Sequence, residues 1–249
     1  MAELLKVVNI SKKFGSGTVL NKVSFTLSPG EKRGIIGPNG AGKTTFINVL
    51  TGTIPADSGE IYLNGHRITR LPSYQRARLG IARSFQILSL FGPMTVLETL
   101  RHAVLRRQGR HMDMFKRLSA MDQAQDEATH IAHQLGLSDY LHDPSDKLSH
   151  GMRRRLDIGL VLAQRPHLLV LDEPAAGLST TETRELVKLL SMLPSHTALI
   201  LVEHDMEMVY ALSEQITVLD YGRVLTEGTP EEINKHPDVR RVYLGEEQI

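Results

Sequence analysis

The chain has 249 residues, 29 basic against 28 acidic for a net charge of +1, and no cysteine. That length suits one large α/β domain with a real core, the charge balance gives no electrostatic case for wholesale nucleic-acid binding, and the cysteine count excludes a disulfide scaffold or a thiolate metal site while matching a reducing cytosol. Met1 to Lys6 lacks the apolar core of a signal peptide, and runs such as Leu168 to Leu171 are too short to span a bilayer, so the chain is expected to be soluble by itself.

Leu4 to Ile10 and Val23 to Leu27 are rich in β-branched or large apolar residues and predict strands. Gly34-Ile35-Ile36 then runs directly into Gly37-Pro38-Asn39-Gly40-Ala41-Gly42-Lys43-Thr44, a complete G-x-x-x-x-G-K-[ST] pattern. Its glycines let successive N–H groups face an anion, Lys43 adds a mobile positive charge, and Thr44 can offer its hydroxyl to Mg²⁺. The helix implied by Thr45 to Leu50 aims its N-terminus at the same phosphates. The loop therefore predicts a nucleotide, without saying what the nucleotide drives. Further on, Glu60 to Leu63 meets Asn64-Gly65, a pair that tolerates the positive φ values of a tight hairpin, so an antiparallel layer is expected beside the nucleotide strand.

Between Val96 and Leu162 apolar residues recur at helical spacing and strand-like runs disappear, which predicts a helical insert. Arg101, Arg106, Arg107, Arg110, Lys116 and Arg117 make its first part basic, and Asp122, Asp126 and Glu127 make the next part acidic; a solvated face is favoured over a docking surface. Ser149 in Leu148-Ser149-His150-Gly151-Met152 is a candidate N-cap, and the turn at Gly151 leaves N–H groups for an anion. Leu168 to Leu171 is an apolar strand ending in Asp172-Glu173, at the strand end where α/β sheets bind ligands. Asp172 is placed to hold Mg²⁺, and Glu173 to accept a proton from an attacking water. With Ile35-Ile36, the runs Leu168 to Leu171, Ala198 to Val202 and Ile216 to Leu219 suit strands covered on both faces, hence an α/β core.

In this order, Leu148 to Met152 resembles the signature motif of ATP-binding cassette (ABC) proteins, usually Leu-Ser-Gly-Gly-Gln. The resemblance covers essentially the whole chain: Phe14 in Lys12-Lys13-Phe14-Gly15 matches the aromatic that stacks on adenine, Gln86 in Arg83-Ser84-Phe85-Gln86 the Q-loop glutamine, and His204 in Val202-Glu203-His204-Asp205 the switch histidine. Gly222 to Gly228 looks like the family's closing hairpin. It implies a P-loop (RecA-like) core sheet with an N-terminal antiparallel layer and an inserted helical subdomain: a single domain over 1–249, with the ATP-binding core at 1–86 and 164–227, helices at 87–163 and a tail at 228–249. ATP and Mg²⁺ are the implied cofactors. Gly37 to Thr45 would hold the phosphates; Thr44, Gln86 and Asp172 the metal; Glu173, Gln86 and His204 the chemistry. Ser149 and Gly151 would touch the γ-phosphate bound by a partner chain, so a homodimer or a dimer with a paralogue is expected around two ATP molecules.

His150 and Met152 depart from the usual glycine and glutamine, and Ala176-Gly177-Leu178-Ser179 stands where Ser-Ala-Leu-Asp is usual, so Ser179 offers a hydroxyl in place of a carboxylate across the dimer. The wording of Ala82 to Gln86, Met94 to Glu98, Pro174 to Leu178 and Pro237 to Gly245 looks like the branched-chain amino-acid importer ATPases; Leu148 to Gly151 and Asp157 to Gly159 are also similar to the urea-importer branch. Membrane permease subunits, received near Gln86 to Leu97 by Leu88, Leu90, Phe91 and Met94, and an extracytoplasmic solute-binding protein are the implied partners, which places the chain at the cytoplasmic face of the inner membrane. A soluble non-transport ABC ATPase is the second reading, disfavoured because this chain has neither two cassettes nor a long coiled-coil insert. A GTPase or nucleoside kinase shares only the phosphate loop, and no Asn-Lys-x-Asp motif is present.

Overall fold

The computed structural model describes residues 3–84, 94–108 and 117–244, with side chains omitted at 117–120 and 242–244. It resolves into two compact units, Met1–Arg83 with His167–Pro174 and Leu193–Ile249, and Ser84–Pro166 with Ala175–Met192.

The first unit holds two sheets. In the antiparallel one, β1 (Leu5–Phe14) lies between β2 (Gly17–Leu27) and β4 (Ser58–Leu63), and β5 (His66–Arg67) pairs with β4. The β4–β5 turn is Asn64-Gly65, both at positive φ, as that dipeptide predicts. Strands β1 and β2 run longer than their apolar cores suggest. Their polar extensions, Ser11 to Phe14 and Gly17 to Lys22, still pair across register shifts, one near Asn9 in the left-handed region. The second sheet has the order β10-β9-β3-β8-β7-β6, where β3 is Lys32–Ile36, β6 Ile81–Arg83, β7 Leu168–Asp172, β8 Ala198–Val202, β9 Gln215–Asp220 and β10 Arg223–Gly228. All its pairings are parallel except β9 with β10.

One face of that sheet joins a core shared with the antiparallel layer and α1 (Lys43–Leu50), in which Phe46 meets Phe25 edge-on at 5.9 Å. On the other face Ile36, Ile216 and Val218 pack with Val209 of α7 (Met206–Leu212), Ile233 of α8 (Pro230–Lys235) and Val239 of α9 (Pro237–Leu244). Burial on both sides explains why every residue of β7 and β8 is buried and why these strands read as unbroken apolar runs. The segment from 228 onward, read as a tail, is thus partly core. In chain order, Ser73–Arg78 forms the short helix α2.

The second unit packs α3 (Val96–Arg107), α4 (Arg117–Gln134) and α5 (His150–Leu162) against one another. Its basic and acidic parts meet: Arg107 makes two hydrogen bonds to Glu127, at 2.8 and 2.7 Å, and Arg165 adds a third charge. One boundary differs from expectation. The segment 175–192, assigned to the ATP-binding core, groups with the helices because α6 (Thr180–Ser191) lies against the start of α5, with Arg155 3.2 Å from Glu185.

Candidate functional site

The site in the first unit follows from strand order. The phosphate loop leaves the end of β3, the acidic pair ends β7, and β8 runs between these two strands, so the residues after β8 emerge between loop and acids.

The loop is shaped by steric necessity. Gly42, the N-cap of α1, has φ 99°, and a Cβ there would stand 2.8 Å from the Val19 carbonyl oxygen; a Cβ on Gly37 would collide with the Leu219 carbonyl oxygen. Ala41 accepts a hydrogen bond from Gly222 N–H at 3.0 Å, so the turn between β9 and β10 braces the loop from outside. Gly42 caps α1 without a side chain, and the first turn holds no acid, leaving the helix's positive end for an anion. Lys43 is buried, and its ammonium donates to the carbonyls of Gly37 at 2.6 Å and Pro38 at 3.0 Å. Burial lowers its pKa, and attraction to Glu173 and Asp172 works in the opposite direction. Lysine and both acids therefore share one electrostatic neighbourhood.

Asp172 is buried at the end of β7 and receives Arg83 at 2.9 Å. The chain turns sharply at Glu173, whose φ of 48° is unusual for a residue with a side chain. Its N–H is held by the Val202 carbonyl at 2.8 Å, the last residue of β8. The turn leaves the Glu173 carboxyl half-exposed with Oε1 3.0 Å from His204 Nε2. The His204 N–H donates to the buried Glu203 carboxylate at 3.1 Å, and Asp205 caps α7 through two backbone N–H groups, which fixes the backbone on both sides of the histidine.

Phe14 ends β1 with 53% of its surface exposed, a high value for a large apolar ring, and Lys12 Nζ stands 5.6 Å over it. Lys12 is in turn paired with Asp57 at 2.8 Å. Among the described residues no group of three or more His, Cys, Asp or Glu could by itself hold a metal. Asp172, a buried carboxylate whose charge is felt by Lys43 of the loop, suits a cation whose other ligands are phosphate oxygens.

In the second unit Ser149 is the N-cap of α5, its hydroxyl accepting from Met152 N–H at 3.3 Å. Gly151 lies so close to Glu182 that any Cβ would collide with the carboxylate. That carboxylate completes a capping box with Ser179, accepting from Ser179 N–H and hydroxyl at 2.9 and 2.7 Å. The Ser179 hydroxyl is therefore engaged in starting α6. A Cβ on Gly177 would stand 3.2 Å from His150 Cε1, so the two departures from the family wording, His150 and the 176–179 loop, face each other.

Gln86, with Leu88, Leu90 and Phe91 of the expected docking cluster, lies outside the described residues. Sequence reasoning passed over Arg83, Asn48 and Glu182. Arg83 and Asn48 were legible only as ordinary members of a strand and a helix, whereas the Ser-x-x-Glu spacing of Ser179 and Glu182 was an available capping-box signal.

Comparison with known proteins adds three findings. An ABC transporter family model matches residues 20–176, and a branched-chain amino acid ATP-binding cassette transporter model matches residues 223–248. The chain is 41% identical over 251 residues to the high-affinity branched-chain amino acid transport ATP-binding protein LivG of Escherichia coli K12, and 37% identical over 254 residues to the corresponding protein BraF of Pseudomonas aeruginosa, with 98% of each chain covered in both cases. Its fold matches that of an ATP-binding cassette of an ABC transporter solved in its ADP conformation, with TM-score 0.84, 28% identity, and 99% of this chain and 100% of the other covered.

Proposed function

We propose, from the premise that this chain belongs to the ABC transporter family of ATP-binding cassettes, that it is the ATP-hydrolysing subunit of an importer for branched-chain or related amino acids. Homology to branched-chain amino acid transport ATP-binding proteins over nearly the full length, and the match of residues 223–248, support that solute class. None of the described helices is long and apolar enough to cross a membrane, so transport requires separate permease subunits. The working location is then the cytoplasmic face of the inner membrane, with an extracytoplasmic solute-binding protein in the full system.

The observation that carries the mechanism is the approach of Glu173 Oε1 to His204 Nε2 at 3.0 Å, on neighbouring strand ends beside the phosphate loop. Gly37 to Thr45 cradle the phosphates with backbone N–H groups and Lys43. Phe14 offers its exposed ring to adenine. Thr44, Asp172 and Gln86 would hold Mg²⁺, which when bound would neutralise charge on the phosphate oxygens. Glu173 accepts the proton of the attacking water, and His204, oriented by Glu173, hydrogen-bonds the γ-phosphate. Ser149 and the N–H of Gly151, at the open end of α5, meet the γ-phosphate of a partner chain, so two ATP molecules are buried in a dimer and hydrolysis lets it part.

Mixing two inactive variants tests the shared site. Lys43→Ala keeps its Ser149 loop, and Ser149→Arg keeps its phosphate loop. A two-fold dimer of one of each has one complete site, so an equimolar mixture recovers roughly a quarter of the parent ATPase rate if the sites act independently. Mixed dimers that form, seen by crosslinking differently tagged chains, yet recover no activity would refute the reading.

A further inference from the structure

Arg83 closes β6 and reaches across to the end of β7. Its Nη2 donates to Asp172 Oδ2 at 2.9 Å and its Nη1 to Asn48 Oδ1 at 2.5 Å. The Asp172 side chain is only 6% exposed and that of Arg83 21%. A carboxylate so deeply placed needs positive charge beside it. Lys43 contributes from a distance, with its ammonium engaged by the Gly37 and Pro38 carbonyls, whereas the guanidinium makes direct contact. Asn48 lies four residues beyond Thr44 on α1, and so on the same helix face. Arg83 thus ties together the helix face carrying Thr44 and the strand end carrying Asp172.

We propose that Arg83 is a positioning residue for cation loading: it compensates the Asp172 carboxylate before nucleotide arrives and sets the Mg²⁺ concentration at which ATP binds together with its metal. The assignment rests on the reading of Asp172 and Thr44 as the protein's metal-side groups. A fixed charge hydrogen-bonded to a carboxylate opposes a second cation by ordinary Coulomb repulsion, so the site fills when the phosphates bring further negative charge.

The test uses ATP binding in a hydrolysis-deficient Glu173→Gln background, followed by calorimetry at stepped Mg²⁺ concentrations. Arg83→Gln keeps hydrogen-bonding capacity without charge, and should lower the Mg²⁺ half-point for ATP binding about tenfold, or about 1.4 kcal/mol. Arg83→Lys keeps the charge and should hold the half-point within about twofold of the parent. Adding Arg83→Gln to Asp172→Asn should change nothing further. An unchanged or raised half-point in Arg83→Gln, where Asp172→Asn does weaken Mg²⁺ dependence, overturns the assignment to Arg83 alone. If Asp172→Asn leaves Mg²⁺ dependence intact, the metal-side reading of Asp172 fails and the proposal with it. Should Arg83→Gln not fold, Arg83→Lys decides: a tenfold shift in either direction overturns the proposal.

Discussion

Arg76 offers a sharp test of how the phosphate-loop helix is anchored. It is 2% exposed on α2, yet its guanidinium makes four hydrogen bonds to backbone carbonyls: Nη1 to Val49 at 2.7 Å and Leu50 at 2.6 Å, Nη2 to Thr69 at 2.8 Å, and Nε to Leu71 at 2.9 Å. Val49 and Leu50 end α1; the Val49 carbonyl also accepts from Gly52 N–H at 3.2 Å, and the guanidinium adds a bond to each of these last carbonyls, so Arg76 caps the helix from outside. Arg76→Met fills a similar volume and removes all four bonds. A bond to a charged donor contributes about 1.5–3 kcal/mol, but removing the guanidinium also removes its own burial cost, so the net loss is about 3–4 kcal/mol. At roughly 2–4 °C per kcal/mol for a chain of this size, Tm should fall by about 6–16 °C in a thermal melt. Arg76→Lys should recover less than half, since one ammonium cannot reach four carbonyls on different segments. ATP affinity measured well below the transition should stay within about threefold of the parent, because eight residues of helix put about 12 Å between this cap and the loop. A Tm change under about 2 °C in Arg76→Met would show that the carbonyls find other partners at no cost, and the anchoring argument would be wrong.

Glu173→Gln should bind ATP, hydrolyse it at least about a hundredfold more slowly and accumulate as an ATP-stabilised dimer on size-exclusion chromatography; near-normal turnover would remove Glu173 as the base. Ser179→Ala should lower Tm by roughly 2–4 °C through loss of the α6 cap, whereas Ser179→Thr, which keeps the hydroxyl that pairs with Glu182, should lose less; equal losses in both would contradict the capping role. Glu127 is held below its ordinary pKa of 4.5, mainly by hydrogen bonding to Arg107 and further by Arg165, with burial opposing them. A carboxyl with a lowered folded-state pKa stabilises above its unfolded value and loses that contribution as pH falls through the folded one. Glu127→Gln should therefore destabilise the protein at pH 7, and the difference should shrink steadily in denaturant titrations carried below pH 4.5; a gap independent of pH would show that packing, not charge, carries it.

What the sequence disclosed was local. Gly37 to Thr44 could be read because its pattern is contiguous, although the groups that leave no room at Gly37 and Gly42 are the distant Leu219 and Val19 carbonyls, and β7 and β8 because burial on both faces writes itself as consecutive apolar residues. The long-range pairings of the two arginines were not readable. Arg83 and Asp172 are separated by 89 positions, Arg76 and Val49 by 27, and neither arginine carries a periodic or motif signal that names its partner. The same holds for α6, whose amphipathic pattern predicts a helix but not which compact unit receives it. α6 meets α5 through Arg155 and Glu185 and where Glu182 approaches Gly151, a contact between two separate helix starts.

This last contact gives the departures from family wording a physical logic. If Ser149 and Gly151 serve a γ-phosphate on another chain, the loop carrying them must be held by its own unit, because the ligand is absent whenever the dimer is open. Glu182 does part of that holding: its carboxylate starts α6 through Ser179 and lies against Gly151 at the start of α5. An aspartate at position 179 would still present an N-cap oxygen, but would place a second carboxylate beside Glu182 and near the start of α5. Serine caps without that charge. The substitution of serine for the usual aspartate thus preserves the scaffold of the signature loop and removes one negative charge from its surroundings, while His150, packed beside Gly177, occupies the space the altered loop leaves to it.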